Sequence, residues 1–274
     1  MLIDTHTHIQ FGHYQEDREK LIKQCVSEHV GMILVGCEYE SSLQAVDLAR
    51  AYHAYPVWAA IGQHPTDTAV PFHPEEFKAL AKQSERVVAI GECGLDYFHL
   101  AHDATDDAQK VRQKALFEAH LNLSSELSLP LIIHCRDAHD DMLQMLIAYF
   151  TRGGILPLEQ RREQGVMHCF TGTVEQARSY LDLGFLISFT GIITFARHYD
   201  DVVMATPLEK ILIETDSPFL SPVPFRGKRN SPLYVKYVAE RIACLKGMTV
   251  EHVAKQTTLN AQRLFGLELR SGVS

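Results

Sequence analysis

The sequence contains no C-x-x-C pair. Its six cysteines, Cys25, Cys37, Cys93, Cys135, Cys169 and Cys244, stand singly. That spacing argues against a thiolate zinc site and against the disulfide framework of a small secreted domain. There is also no run of about 18 apolar residues, the usual minimum for a membrane-spanning helix. No basic segment followed by an apolar stretch opens the chain, so no secretory signal is expected and the expected location is the cytoplasm. A basic excess is missing as well: 26 Lys and Arg stand against 34 Asp and Glu, a formal charge of −8. This balance opposes nucleic-acid binding through surface charge alone. Two bound divalent cations would return about four positive charges to one spot.

What remains is an ordinary globular composition, 46% hydrophobic and 22% charged, in 274 residues. That length suits a single α/β barrel of about 250 residues, so one domain over 1–274 is expected. Apolar runs alternate with helical patterns. The expected strands are Leu2–His8, Met32–Cys37, Val57–Gly62, Val87–Glu92, Leu131–Cys135, Val166–Cys169, Phe185–Phe189 and Ile211–Thr215. Several are near-continuous Val, Ile and Leu, as in parallel strands buried on both faces. Between them lie amphipathic segments at Gln15–His29, Ser41–Ala54, Pro74–Gln83, Asp107–Ser125, Ala138–Phe150, Val174–Leu183 and Asp200–Ala205. Further helices are expected at Pro232–Leu245, Thr249–Gln256 and Leu259–Phe265. The pattern predicts an α/β fold, a (β/α)8 TIM-like barrel with additional C-terminal helices. An open doubly wound sheet is the alternative.

Chemistry in such barrels sits at the carboxyl ends of the strands. Strand one carries His6 and His8, two residues apart and therefore on one face. Strand four ends at Glu92, strand five at His134, strand six at His168 and strand eight at Asp216. Each has an ordinary role available: a paired buried acid, a satisfied core histidine, a turn cap. Their coincidence on one rim points instead to divalent metals, because imidazole suits zinc and manganese while carboxylates also accept magnesium. Glu92 is the candidate bridge, with His6, His8 and Asp216 completing one site and His134 and His168 the other. Two ions so held activate water and stabilise both oxygens of a displacement. Asp216 is the candidate proton acceptor.

Strand parity adds further expectations. Cys93, Cys135 and Cys169 each follow a ligand and should face the helix layer. Asp4 and Glu214 share the ligands' parity one layer deeper and are expected to orient His6 or His8, with a third metal as an alternative role for Glu214. His64 lies on the same rim, while His13, His99, His102 and His198 fall near its loops. Arg136 stands two residues beyond His134, and Arg226, Lys228 and Asn230 lie in the proline-limited loop after strand eight. With His64, these are the candidate substrate contacts, suited to phosphate oxygens.

The chain closely resembles the TatD family of metal-dependent deoxyribonucleases, a branch of the amidohydrolase-like barrels. The resemblance rests on D-T-H-T-H at 4–8, G-Q-H-P at 62–65, G-E-C-G-L-D-Y at 91–97, L-P-L-I-I-H-C-R-D-A at 129–138 and H-C-F-T-G at 168–172. It continues through S-F-T-G-I-I-T-F at 188–195, E-T-D-S-P at 214–218, P-V-P-F-R-G-K-R-N at 222–230 and N-A-Q-R-L-F-G at 260–266. It implies a distorted TIM barrel whose ligands are His6, His8, Glu92, His134, His168 and Asp216. It further implies hydrolysis of phosphodiesters by attack of metal-bound hydroxide, often as a 3′→5′ exonuclease on single-stranded DNA, with two divalent ions (Zn, Mg or Mn). Departures from the family pattern are Gln10, Ser231 and the Phe98-His99 pair, all at loop positions. A deacylase of D-aminoacyl-tRNA, or another amidohydrolase-type ester, amide or phosphotriester hydrolase, is the alternative activity. Neither a membrane nor an obligate protein partner is expected.

Overall fold

The computed structural model describes residues 1–101, 103, 105–150 and 163–268. Eight parallel strands follow one another around a single sheet in chain order. They are β1 (Leu2–Thr7), β2 (Val30–Val35), β3 (Val57–Ile61), β4 (Val87–Asp96), β5 (Leu131–Arg136), β6 (Gly165–Met167), β7 (Phe185–Phe189) and β8 (Ile211–Ile213). The crossovers carry α1 (Arg18–Ser27), α2 (Tyr39–Ala51), α3 (Pro74–Ala81), α4 (Asp106–Leu127), α5 (His139–Phe150), α6 (Val174–Asp182) and α7 (Asp200–Ala205). Two helices, α8 (Val235–Lys246) and α9 (Val250–Phe265), end the described chain. An unbroken order from β1 to β8 is that of a barrel and not of an open sheet, whose order reverses at a switch point.

The last gap is closed by few groups. Beyond β8, Ser217 forms a parallel bridge with Thr7. The Asp216 N–H donates to His6 O at 2.9 Å, and the His8 N–H donates to Ser217 O at 2.8 Å. Asp4 completes the seam, its Oδ1 accepting from Thr215 N at 2.9 Å and its carboxylate also taking the Thr215 hydroxyl.

Two apolar layers result from strand alternation. Ile3, Ile33, Val35, Trp58, Ala60, Ile132, Val166, Leu186 and Leu212 fill the barrel interior, joined by Ala261, Leu264 and Phe265 from α9. The larger cluster, including Met32, Leu34, Ile133, Met167 and Ile187, lies between sheet and helices. Continuous apolar strands are therefore the signature of burial on both faces. The expected pair of helices at Thr249–Gln256 and Leu259–Phe265 is one helix. Thr257 and Thr258 do not break it, because the Thr257 hydroxyl donates back to Val253 O at 2.9 Å. Among the described residues no helix is long and apolar enough to cross a membrane.

Candidate metal centre

The interior parity, continued past the apolar layer, sets the site. Ile132 faces in, so His134 and Arg136 follow; Val166 brings in His168, and Leu212 brings in Glu214 and Asp216. Chain turns at this rim use the left-handed region, at Asp137 (φ 55°), Cys169 (φ 44°), Asp216 (φ 56°) and Leu220 (φ 55°). Each such non-glycine residue costs about 1–3 kcal/mol, a strain that clusters at functional sites. Gly94 lets β4 approach β5 there: a Cβ on it would meet His134 O at 2.0 Å.

The two oxygens of Glu92 divide the imidazoles between them. Oε2 lies 3.3 Å from His6 Nε2 and 3.9 Å from His8 Nε2. Oε1 lies 2.9 Å from His134 Nδ1, 3.5 Å from His64 Nε2 and 3.6 Å from His168 Nε2. On the first side, Asp216 Oδ1 comes within 3.4 Å of His8 Nε2 and 3.8 Å of His6 Nε2. The two Nε2 atoms of His6 and His8 face each other at 3.1 Å. His8 Nδ1 donates to Val35 O at 2.7 Å, so Nε2, which faces Glu92 and Asp216, is the nitrogen a cation would take in place of its proton. The His6 ring lies flat on that of His168, centroids 3.6 Å apart.

Charge is set by the same contacts. Burial raises the Glu92 carboxyl, but His64 and His6 and the hydrogen bond from His134 outweigh it and hold it well below the usual range. Asp216 is likewise opposed by burial and held ionised by its bond with His8 and by His168 and His6. Burial, aided by His168, lowers His6, which favours the neutral imidazole that a metal takes. Paired carboxylates among imidazole nitrogens, close enough to share one centre as His6–His8–Asp216 and as Glu92–His134–His168, fit divalent cations, whose charge would replace the protons these carboxylates hold on His8, His134 and His168.

Two residues join the site that sequence reading passed over. Asp96, fully buried, accepts from His134 Nε2 at 2.9 Å and pairs with His99 Nδ1 at 2.8 Å. Asp96 holds a proton on His134 Nε2, while Nδ1 donates to Glu92 at 2.9 Å and is the nitrogen a cation would take in place of that second proton. Burial opposes ionisation of Asp96, but these imidazoles hold it far below the ordinary range. Against the pull of burial, the bonds that His134 donates to Asp96 and Glu92 raise it to about 9. Cys37 Sγ lies 3.7 Å from both His8 Nδ1 and Glu92 Oε2. Its parity with Ile33 and Val35, and the parity of Asp96 with Glu92, are the signals that could have found them.

Other expectations need correction. Asp4 does not reach an imidazole. β1 is irregular between Asp4 and Thr7, and Ile3 takes the interior direction, so Asp4 turns to the seam and touches His6 only through its backbone N–H, 3.3 Å away. Burial there pushes its carboxyl up to about 8. Glu214 Oε1 sits 2.7 Å from His168 Nδ1 and accepts from Cys169 N at 2.7 Å, and with His6 and His168 it forms a further group close enough to share a cation. Cys93 turns away as expected, its thiol toward Ile132 O. Cys135 lies by His139 and Tyr180, and Cys169 by Thr190.

A cleft of about 900 Å³ opens above these groups, lined by His64, Phe98, His99, Arg136, Tyr199 and Phe219 among others. The loop after β8 contributes less than expected. Asn230 is buried, its amide donating to Thr215 O at 2.8 Å and to Phe219 O. Arg226 lies over the Phe195 ring at 3.8 Å and bonds Ser221 O. Lys228 is exposed, and none of the three lines the cleft. His102 lies outside the described residues.

The model of the TatD-related DNase family matches residues 3–266. The chain belongs to that family. It is a metal-dependent hydrolase of the TatD type. It is 42% identical to the uncharacterized metal-dependent hydrolase YabD of Bacillus subtilis, over 97% of this chain and 99% of that one. It is 34% identical to the 3′-5′ ssDNA/RNA exonuclease TatD of Erwinia amylovora, over 97% of this chain and all (100%) of that one. Among solved structures, YjjV, a TatD homologue from Escherichia coli, superposes with a TM-score of 0.85 at 29% identity, covering 97% and 98% of the two chains.

Proposed function

We propose that this TatD-family hydrolase cleaves phosphodiester bonds of single-stranded nucleic acid from the 3′ end, using two divalent ions that Glu92 and the residues around it would hold. The observation that carries the reading is the division of donors by the two Glu92 oxygens. His6, His8 and Asp216 would hold one ion, and His134 and His168 the other. Bound there, such ions act as Lewis acids toward a phosphoryl oxygen and lower the pKa of water. The single-strand substrate and the polarity are supported by relatives named as 3′-5′ ssDNA/RNA exonucleases.

The chain's own residues supply the rest. The Asp216 side chain, 15% exposed and held ionised, accepts the proton of the attacking water. His64 lines the cleft with Nδ1 beside the Thr66 hydroxyl at 2.6 Å and Nε2 3.5 Å from Glu92 Oε1, a position at the cleft floor from which the ring meets a substrate phosphate. Arg136 offers a second, charged donor at the mouth. Asp96 and Val35 O fix the tautomers of His134 and His8 before substrate arrives.

Chelator-treated protein should be inactive on end-labelled single-stranded DNA and recover with Mg²⁺, Mn²⁺ or Zn²⁺. A 3′ label should leave first as mononucleotide, while a 5′ label gives a ladder. Full activity in verified metal-free protein would contradict the mechanism. Asp216→Asn should lower turnover more than affinity for DNA; the reverse would make Asp216 a substrate contact.

A further inference from the structure

We propose that Phe98, backed by Arg136, is a stacking platform for the nucleobase next to the scissile phosphate; this rests on the nucleic-acid reading above. Phe98, like Phe219, lines the cleft and is 48% exposed. It does not dangle there. The residue before it is tied down, Tyr97 N donating to Arg136 O at 2.9 Å and Tyr97 OH to Asp141 Oδ2 at 2.6 Å. The residue after it is tied as well, His99 N donating to Asp96 Oδ1 at 2.9 Å. Arg136, paired in register with Asp96, carries its guanidinium over the ring, Cζ 3.7 Å from the centroid.

The other aromatics of the cleft are differently engaged: Tyr199 packs against the His198 ring, centroids 4.0 Å apart, and the two phenylalanines lie against His8. Phe11 lies flat on His8 at 4.7 Å, and Phe219 meets His8 at a steep angle, centroids 6.4 Å apart. Both brace a ligand. Phe98 braces none of the proposed ligands; it stands two residues beyond Asp96, at the mouth. A planar, fixed, half-open ring with a cation behind it is what a π-faced substrate uses: the base stacks on the ring while Arg136 takes the adjoining phosphate. Every base has a π face, so the platform is tolerant of sequence and of sugar. It favours unpaired strands, whose bases are free to leave their own stack, over duplex ends.

The test compares wild type, Phe98→Ala and Phe98→Trp on three substrates. These are a single-stranded oligonucleotide, the same strand ending in an abasic nucleotide, and methyl p-nitrophenyl phosphate, a diester without a base. Removing the terminal base should cost wild type about tenfold in kcat/KM. In Phe98→Ala it should cost close to nothing, and the variant's loss on the intact strand should exceed its loss on the small diester by the same factor. Phe98→Trp should restore sensitivity to the base. Equal losses of Phe98→Ala on all three substrates, or none, would overturn the platform while leaving the nuclease reading intact. Wild type that hydrolyses only the small diester would overturn both.

Discussion

Asp96→Asn is the change whose consequence follows most closely from the geometry. Asp96 Oδ2 is the acceptor that holds the His134 proton on Nε2. An amide of the same shape still has one oxygen, but the His99 N–H, now on Oδ1 at 2.9 Å, competes for it. If the amide nitrogen turns to His134, two donors meet and the ring must shift its proton to Nδ1. That nitrogen is the one facing Glu92 at 2.9 Å, so its lone pair is lost to a cation. If the oxygen turns to His134 instead, the tautomer survives but the negative charge behind the ring is gone. Loss of such a supporting carboxylate typically costs 10–100-fold in metal affinity or activity, about 1.4–2.8 kcal/mol. The assay is competition of metal-free protein with a chromophoric chelator, beside kcat and KM on oligonucleotide at saturating metal. Affinity for the more weakly bound ion should fall by that factor, with thermal stability of the metal-free protein little changed. Unaltered affinity in a folded Asp96→Asn protein would refute the assignment of His134 Nδ1 as the donor.

Two further outcomes are expected. His120 is buried and neutral, Nδ1 donating to Leu116 O at 2.8 Å and Nε2 accepting from Gln63 N at 3.0 Å, with burial lowering its pKa to about 4. The unfolded chain therefore takes up the proton first, so this contribution is complete above pH 6.5 and is lost as pH falls from 6.5 towards 4, by up to ~3 kcal/mol; urea unfolding of wild type should show that slope and His120→Leu should lack it. Asn230→Ala removes an amide bonded to Thr215 O and Phe219 O and should destabilise by about 1–3 kcal/mol in urea unfolding, without weakening the salt dependence of DNA binding that loss of a phosphate contact would reduce.

Much of this architecture was legible because its strands are buried on both faces and so read as unbroken apolar runs. The inward placement of the candidate ligands His134, His168 and Asp216 continues the alternation of Ile132, Val166 and Leu212, since β5, β6, β7 and β8 pair without a register shift. Alternation failed where a strand is irregular. In β1 the shift between Asp4 and Thr7 sends Asp4 to the seam, a place no periodicity specifies. In β4 the register shifts between Ile90 and Cys93, and the strand runs on past Glu92 to Asp96. A reading that ended it at Glu92 could not see the acid behind His134. Cys37 was passed over because a thiol at a strand end looks like one more buried apolar residue. The basic loop misled for another reason: Arg226 and Arg229 resemble phosphate ligands in sequence, but lie over Phe195 and Tyr14, and Arg229 also pairs with Asp17.

The account turns on Glu92 joining two groups of donors. The decisive measurement is metal content per chain, by elemental analysis after dialysis against one divalent metal, for wild type and Glu92→Gln. Wild type should retain two ions. Glu92→Gln, with the charge and one bridging oxygen removed from between the imidazoles, should retain one or none and lose oligonucleotide cleavage with it. A folded Glu92→Gln protein that holds two ions as tightly as wild type would contradict the shared-carboxylate site.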